Sequence, residues 1–202
     1  MSKTRIQTVP NLADTSPKHQ EAIKAGEAHL RAWQFNVADH FKSKTVEEIK
    51  NELTAKAFPY AVCMEHLIGD FNFATVVRNA NAFNARKVFY IGDKRWDRRG
   101  ATGVHNYTDV QFLPTVEELK ALKNDYIFVG VDNVPGSIMM QSHTWQPNTL
   151  LILGEEGVGL TTAMQAMCDV IVEIPMYGSV RSLNVGTASG ILMNDFVSRI
   201  NK

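Results

Sequence analysis

The sequence predicts an α/β fold in which a mostly parallel β-sheet carries helices on both faces. From Tyr60 onward, short runs of β-branched and apolar residues alternate with stretches of helical periodicity. Glycine-rich and polar clusters follow several of the predicted strands, and ligands bind at that end of the strands in parallel sheets. A chain of 202 residues, 45% of them hydrophobic, is long enough for one sizeable core and a short appendage.

The appendage is residues 1–58, which predict a polar arm followed by a short helical extension. One helix is expected over Gln20–Trp33, where apolar residues recur at helical spacing. A second is expected to begin after an N-cap at Thr45 and to end near Ala57. Glu48 lies three residues after Thr45, which is the spacing of a capping box.

Residues 59–202 carry the alternating pattern and predict a single α/β domain. The predicted strands are Tyr60–His66, Lys87–Ile91, Val110–Leu113, Tyr126–Val131, Leu150–Leu153 and Val170–Ile174. The predicted helices are Phe73–Phe83, Val116–Leu122, Thr161–Met167 and Leu183–Arg199.

The charge balance and the cysteines restrict the class of protein. Lys+Arg and Asp+Glu both number 21, so any binding to nucleic acid must rely on a local basic patch. Cys63 and Cys168 lie far apart in apolar surroundings, and we expect them to be reduced core residues. The histidines show no metal-ligand spacing, and there is neither an apolar run of membrane-spanning length nor a signal-peptide pattern. We therefore expect a cytoplasmic protein without metal or membrane contact.

Gly154 to Leu160 form a glycine-rich turn between a predicted strand and a predicted helix. The spacing is Gly-x-x-Gly-x-Gly, which matches neither the dinucleotide-binding fingerprint nor a P-loop. Glu155 and Glu156 would repel phosphates but would tolerate a cationic ligand or ribose hydroxyls. A plain strand-to-helix turn explains the same residues equally well.

Ile174 to Val185 join the last predicted strand to the last helix. Ser182 is expected to be the N-cap of that helix, which would place Asn184 in the first turn beside unsatisfied backbone N–H groups. Asparagine is a poor helix-interior residue, which favours a functional role for it. The alternative is a loop in which Ser182 only caps the helix.

Asn72 and Arg78 belong to a third cluster, where a strand ends and a helix begins. Asn72 is expected to be the N-cap, and Arg78 follows almost two turns later among small apolar residues. The arginine fork could hold a phosphate or a carboxylate. Alternatively, Arg78 extends outward as an ordinary surface residue.

Four cations flank Trp96 in a loop after the second predicted strand. Lys94, Arg95, Arg98 and Arg99 with an interleaved indole suit phosphate contacts and base stacking, so they are candidate RNA-binding residues. A solvated loop with a packed Trp96 is an equally good interpretation.

Taken in order, the three clusters resemble the motifs of the SpoU/TrmH family of SPOUT-type RNA 2′-O-ribose methyltransferases. The first motif corresponds to Asn72, Arg78 and Ala82-Phe83-Asn84, the second to Leu150 through Leu160, and the third to Ile174 through Gly186. The resemblance covers residues 60 to 200, and its third motif is the most specific.

Several positions depart from the family pattern. Phe71 replaces a common proline, Ala74 and Asn84 replace glycines, Gly186 replaces a serine, and Asn194-Asp195 replace a Tyr-Glu pair. None of these changes removes a group expected to take part in the chemistry. They indicate a divergent subgroup, so the substrate should not be copied from a well-known member.

The resemblance implies a fold and a mechanism that the residue pattern does not. It implies a C-terminal deep trefoil knot that binds S-adenosylmethionine, and a homodimer whose interface lies near the active site. By position, the cofactor contacts would be Gly154, Ile174, Leu183, Met176, Gly159 and Val131. The active site would consist of Arg78, Asn72, Ser182, Asn184 and Glu156.

The implied function is methyl transfer to a ribose 2′-hydroxyl of RNA. Transfer RNA is preferred because the N-terminal extension is short, with ribosomal RNA as the other option; the extension is expected to add to the RNA surface. Three alternatives stay open. The chain could methylate a base at guanine N1, it could bind RNA without catalysis, or it could be an unrelated doubly wound nucleotide-binding enzyme.

Overall fold

A computed structural model of the chain describes residues 37–65, 70–92, 95–155 and 157–200. The chain divides into two compact units, Met1–Lys44 and Thr45–Lys202. In the first unit the described part contains a 3-10 helix, Asp39–Phe41. The predicted helix Gln20–Trp33 and the polar arm lie outside the described residues.

The second unit contains a seven-stranded sheet in which every strand pair is parallel. The strands are β1 (Phe58–Glu65), β2 (Ala85–Ile91), β3 (Val110–Phe112), β4 (Ile127–Val131), β5 (Ile138–Met139), β6 (Thr149–Leu153) and β7 (Val170–Glu173). Their order across the sheet is β3-β2-β1-β6-β4-β7-β5. The predicted parallel sheet is confirmed. The edge strand β5 was not predicted, because two residues are too few to display an alternation.

The described residues contain five α-helices; the first precedes the sheet, and the others connect or follow its strands. They are α1 (Val46–Ala55), α2 (Asp70–Ala82), α3 (Val116–Ala121), α4 (Thr162–Met167) and α5 (Val185–Arg199). Each predicted helix that falls on described residues is present, and its ends either coincide with the prediction or are displaced by at most three residues.

Helices cover both faces of the sheet, as predicted. On β1, Tyr60, Val62 and Met64 point into a core that includes residues of α2 and α5. Ala61 and Cys63 point the other way, into a core that includes residues of α3 and α4. Since side chains alternate across a strand, the near-continuous apolar run of β1 is what a strand buried on both faces requires.

Two helix starts agree with the sequence prediction. Thr45 forms a capping box: its hydroxyl accepts from the Glu48 backbone at 3.3 Å, and its own backbone N–H donates to the Glu48 carboxylate at 2.7 Å. Thr161 caps α4 by accepting from the Met164 backbone N–H at 3.2 Å.

Two other predicted helix starts are wrong. Asn72 is not an N-cap but lies inside α2, which begins at Asp70. Ser182 is not the N-cap of α5. That position is Asn184, whose side chain accepts from the Thr187 backbone N–H at 3.2 Å. Asparagine and serine are equally good caps, so composition alone could not choose between them.

The register of the strands determines which segments meet. Val131 at the end of β4 pairs with Leu153 of β6 on one side and with Val172 of β7 on the other. The loops that leave these three strands therefore start from neighbouring points at one edge of the sheet. In a parallel sheet this is the edge where ligands bind.

Candidate active site

The turn Gly154–Leu160, here called the glycine loop, folds back on itself directly after β6. Glu155 and Gly159 exchange two backbone hydrogen bonds, of 3.0 and 2.8 Å. A Cβ on Gly154 would lie 2.2 Å from the Gly159 carbonyl carbon. Only glycine allows this closure, which explains why a glycine directly follows β6.

Gly159 is required for a second reason. Its φ is +73°, and a Cβ there would lie 2.3 Å from Oδ2 of Asp132. That carboxylate accepts from the Leu160 backbone N–H at 2.8 Å. Asp132 directly follows β4, so it ties the glycine loop to the end of the neighbouring strand. Our sequence analysis missed Asp132, although a polar residue after a predicted strand is the signal that identified the other clusters.

Glu65 anchors the far end of the glycine loop. This carboxylate, at the end of β1, is only 4% exposed. It accepts from the Thr161 hydroxyl at 2.8 Å and from the Thr161 backbone N–H at 3.3 Å. A buried carboxylate needs such partners, and here it links β1 to the start of α4.

The segment from Ile174 to Asn184, here called the connecting segment, leads from β7 to α5. Ile174, Met176 and Leu183 are half-buried along it, whereas Tyr177 is 94% exposed. The Asn133 side-chain amide donates to the Arg181 carbonyl, so the segment passes over the end of β4.

Asn184 brings the third motif to the first. While its oxygen caps α5, its amide donates to Oδ1 of Asn72 on α2 at 2.8 Å. The two asparagines are 112 residues apart in sequence. The side-chain amide of Asn184 thus both caps the start of α5 and connects α5 to α2.

The helices α2 and α5 approach closely just beyond that contact. Asn79 donates to the Gly186 carbonyl at 2.8 Å and to the buried Ser189 hydroxyl at 2.9 Å. A Cβ on Gly186 would lie 2.8 Å from Cγ2 of Thr75. The departure from the family pattern at Gly186 therefore has a steric reason, because a serine there would force these helices apart.

Of the other predicted active-site residues, Arg78 and Ser182 lie on the two elements that the contact between Asn72 and Asn184 joins. Arg78 is exposed on α2, six residues after Asn72. That spacing places the two about 120° apart around the helix and about 9 Å apart along it. Ser182 is exposed on the connecting segment. Glu156 lies outside the described residues.

The predicted cofactor residues lie at the carboxyl ends of three adjacent strands. Gly154 follows β6, Val131 ends β4, and Ile174 follows β7. The half-buried Met176 and Leu183 add apolar surface. Apolar side chains together with closely approaching backbone suit an adenine ring and a ribose, so these residues fit the expected cofactor.

The loop from Lys94 to Arg99, here called the basic loop, contains side chains with different surroundings. Lys94 lies outside the described residues, and Arg95 and Arg98 are exposed. Arg99 donates from its backbone N–H to Asp97 at 2.9 Å and also forms an ion pair with it, and these bonds lower the pKa of Asp97. Trp96 is half-buried and packs on Phe73 with 4.5 Å between ring centroids. These contacts favour a packed Trp96 over one available for stacking.

The cysteines are free, as expected. Burial raises the pKa of both thiols, that of Cys168 to about 12, so both stay protonated and unreactive near neutral pH. No group of side chains in the described part of the chain could hold a metal ion. Among the same residues, no helix has the length and apolar character needed to cross a bilayer.

Several known proteins are similar to this chain in sequence. A 23S rRNA (guanosine-2′-O-)-methyltransferase of Coxiella burnetii is 28% identical over 60% of this chain and 51% of its own length. A tRNA (guanosine(18)-2′-O)-methyltransferase of Aquifex aeolicus is 25% identical over 74% of each chain. The chain thus spans about half the length of the first relative and about three quarters of the second.

Solved structures share the fold. The TrmH/SpoU tRNA modifying enzyme of A. aeolicus has a TM-score of 0.70 at 21% identity, over 77% of this chain and 82% of its own. The SpoU methyltransferase AviRb of Streptomyces viridochromogenes, in complex with AdoMet, has a TM-score of 0.62 at 25% identity, over 68% of this chain and 56% of its own. The SpoU rRNA Methylase family profile matches residues 59–194, which contain all three motifs. This chain therefore belongs to the SpoU rRNA methylase family.

Proposed function

We propose that this chain transfers a methyl group from S-adenosylmethionine to a ribose 2′-hydroxyl of RNA. The observation that carries the proposal is the contact between Asn184 and Asn72, at 2.8 Å. It joins the first motif of a methylase family, which follows β1, to the third motif, which follows β7, although β6 and β4 lie between these two strands in the sheet. The AdoMet complex of a 25% identical relative supports the choice of cofactor.

The cofactor residues in this proposal are Gly154, Gly159, Val131, Ile174, Met176 and Leu183. When bound, S-adenosylmethionine supplies a methyl group already activated by its sulfonium. The chain then mainly has to position the acceptor oxygen, and correct placement is worth about 7–11 kcal/mol of the barrier. The backbone closure at Gly154 and the half-buried side chains of the connecting segment would hold the cofactor in place.

Arg78 is the residue proposed to act on the substrate. The 2′-oxygen gains the methyl group and loses its proton, so negative charge develops on it. An arginine guanidinium keeps its proton at neutral pH and is therefore a poor base. We assign it to holding the adjacent phosphate and stabilising the developing alkoxide, with the proton leaving through that phosphate or a water. Asn72, Ser182, Asn184 and Glu156 position Arg78 and the ribose.

The knot and the homodimer belong to the same proposal. The connecting segment leaves β7, passes Asn133 after β4 and reaches α2, which supports a chain threaded over the end of the sheet. Phe71, next to Asn72, is 68% exposed, and Tyr177 is 94% exposed. Large exposed side chains beside the site support a second copy that covers them. Light scattering on the purified protein tests for the dimer.

Transfer RNA is the proposed substrate, with ribosomal RNA second. The A. aeolicus relative that acts on tRNA is matched over 74% of its length, whereas the C. burnetii relative that acts on 23S rRNA is matched over 51%. The longer match to the relative that acts on tRNA supports tRNA, the smaller of the two RNAs, as the substrate.

Methyl incorporation tests the function. The purified protein is incubated with methyl-labelled S-adenosylmethionine and with unmodified tRNA or rRNA, and the RNA is digested to nucleosides. Label in a 2′-O-methylnucleoside is the expected result, in the tRNA pool first. Alkaline hydrolysis separates ribose from base transfer, because a 2′-O-methyl group blocks cleavage at its own linkage. Labelled linkages that alkali cleaves would contradict ribose methylation.

A further inference from the structure

A polar cleft of about 660 Å³ runs along the β2 side of the sheet, away from the glycine loop. It is bounded by α1, the end of α2, the length of β2 from Ala85 to Tyr90, and the segment from His105 to Val110. Five residue steps of β-strand cover about 16 Å. The cleft is therefore an elongated groove, and its volume is in the range of ligand sites, roughly 300–1,000 Å³.

Three cations line this cleft at separate points. Lys50 projects from α1, Arg86 from the start of β2 and Arg98 from the loop after β2. Within the described part of the chain, neither Lys50 nor Arg98 forms an ion pair with a carboxylate, and Arg86 donates to Asn148 at 3.3 Å. The acid lining the cleft, Asp109, is paired with Lys87 at 3.0 Å. The cleft is thus net positive in a chain whose formal net charge is zero.

The rest of the lining offers hydrogen bonds and aromatic surface. Asn51, Asn81 and Asn106 contribute amides, and Tyr107 is half-buried there. Nδ1 of His105 is buried without a hydrogen-bond partner in the described structure. The amides and the tyrosine ring are therefore the groups that the cleft offers to a ligand, because Nδ1 of His105 has almost no exposed surface.

The groove matches the chemistry of an unpaired polynucleotide strand, because it combines spaced cations with amides and aromatic rings. Phosphates take the cations, and bases take the amides and rings. Asn81 lies nine residues after Asn72 on α2, so the cleft is about 14 Å along the helix from the proposed methylation site. A nucleotide in the cleft is therefore a different one from the nucleotide that is methylated.

We infer that this cleft is a second RNA-binding site, which holds an unpaired segment of the substrate remote from the methylated ribose. The inference rests on the proposed function and extends it. It assigns RNA-binding roles to Lys50 and Arg86, which lie outside the basic loop, and it groups them with Arg98 of that loop. It makes the fit of that segment a determinant of which RNA is accepted.

The test is RNA binding by matched charge variants of the full chain. The probe is a fluorescein-labelled oligouridylate of about 12 nucleotides, and the readout is fluorescence anisotropy across salt concentrations. K50Q/R98Q removes two cations from the cleft. K56Q/K120Q removes two exposed lysines that do not line it. The two variants have equal net charge, so an effect of net charge alone would weaken binding equally in both.

We expect K50Q/R98Q to weaken binding at least tenfold at low salt, and K56Q/K120Q by less than threefold. A plot of log affinity against log salt concentration has a negative slope, and its magnitude should be smaller by about 1.4 in the cleft variant. Each lost phosphate contact on a single strand contributes about 0.7 to that magnitude. In the native protein, RNA should also protect Lys50, but not Lys56, from acetylation. That protection is measured by mass spectrometry and does not depend on any variant folding.

Equal losses in the two variants, or no protection of Lys50, would overturn the inference. Displacement of the RNA by polyglutamate at equal charge concentration would also overturn the inference, because the cleft would then bind an acidic polypeptide. If the native protein binds neither oligouridylate, nor tRNA, nor rRNA, the proposed function itself fails. Binding that is intact but insensitive to the cleft defeats this inference alone.

Discussion

Asn184 illustrates how much one side chain decides in this molecule. Its oxygen caps α5 and its amide reaches Asn72 of α2. Capping and catalytic positioning are separable, because a hydroxyl can cap a helix but is too short to replace the amide contact. The two roles can therefore be tested with two substitutions at the same position.

Asn184→Ala should lower the free energy of unfolding by about 1 kcal/mol, the typical worth of an N-cap. Asn184→Ser should keep most of that stability, because serine caps equally well. Both variants lose the contact with Asn72, so we expect methyl transfer to fall at least tenfold in both. Urea unfolding and methyl incorporation measure the two effects. Native turnover in Asn184→Ser would show that the Asn72 contact has no part in the reaction.

Arg78 tests the proposed chemistry at the same scale. Arg78→Lys keeps the charge but loses the two-pronged fork that grips a phosphate. We expect turnover to fall at least a hundredfold while the Kd for S-adenosylmethionine changes less than twofold. Single-turnover methyl transfer and calorimetric titration of the cofactor provide the two values. Near-normal turnover in this variant contradicts the assignment of Arg78 to the alkoxide.

Among the elements, the glycine loop depends most strictly on local sterics. Three strand ends are joined through it: β6 directly, β4 through Asp132, and β1 through Glu65 and Thr161. The hydrogen bonds between Glu155 and Gly159 close the loop over a position where no side chain fits. A side chain at Gly154 should therefore displace the backbone of this loop, and with it the surface proposed to bind the cofactor.

Gly154→Ala and Gly157→Ala form a matched pair within that loop. A Cβ at Gly154 would lie 2.2 Å from backbone, whereas a Cβ at Gly157 meets nothing within 4 Å. We expect Gly154→Ala to weaken S-adenosylmethionine binding more than tenfold and Gly157→Ala by less than twofold. Calorimetric titration measures both. Equal affinities would mean that the closure of this loop does not shape the cofactor site.

For the molecule as a whole, the end of α5 is fastened to the segment before β6. Asp195 accepts from the Trp145 indole N–H at 2.7 Å and from Nε of Arg199 at 2.9 Å. Arg199 in turn donates to the Met140 and His143 carbonyls, at 2.7 and 3.0 Å. This network explains why an acid, Asp195, stands where the family commonly has a glutamate. Asp195 holds Arg199, which donates hydrogen bonds to several backbone carbonyls at once.

Asp195→Ala should therefore destabilise the fold. It leaves the partly buried guanidinium of Arg199 and the indole N–H of the buried Trp145 without their shared acceptor, which costs about 2 kcal/mol. Lys56→Ala, which breaks an exposed ion pair with Glu52, serves as the control and should cost less than about 1 kcal/mol. Urea denaturation compares them. A loss for Asp195→Ala no larger than the control would show that the network contributes little.

Local pattern determined most of the architecture. The strand-and-helix alternation from Tyr60 predicted six of the strands and the helices on both faces, and Thr45 with Glu48 predicted a capping box that is present. Each of these features depends on neighbouring residues in the chain, which a periodicity or a spacing records directly. The motifs likewise predicted the family, which residues 59–194 match.

Only the tertiary structure decided which partners those residues take. Asn184, and not Ser182, caps α5 because Asn72 is in reach of its amide, and Gly186 is a glycine because Thr75 lies against it. Asp132 and Glu65 act on the glycine loop from strands distant in sequence. Sequence spacing describes contacts along one element, whereas these contacts arise where the sheet order brings separate elements together. The sequence alone therefore determined the elements, the family and most site candidates, and the parallel packing of distant strands determined how those candidates meet.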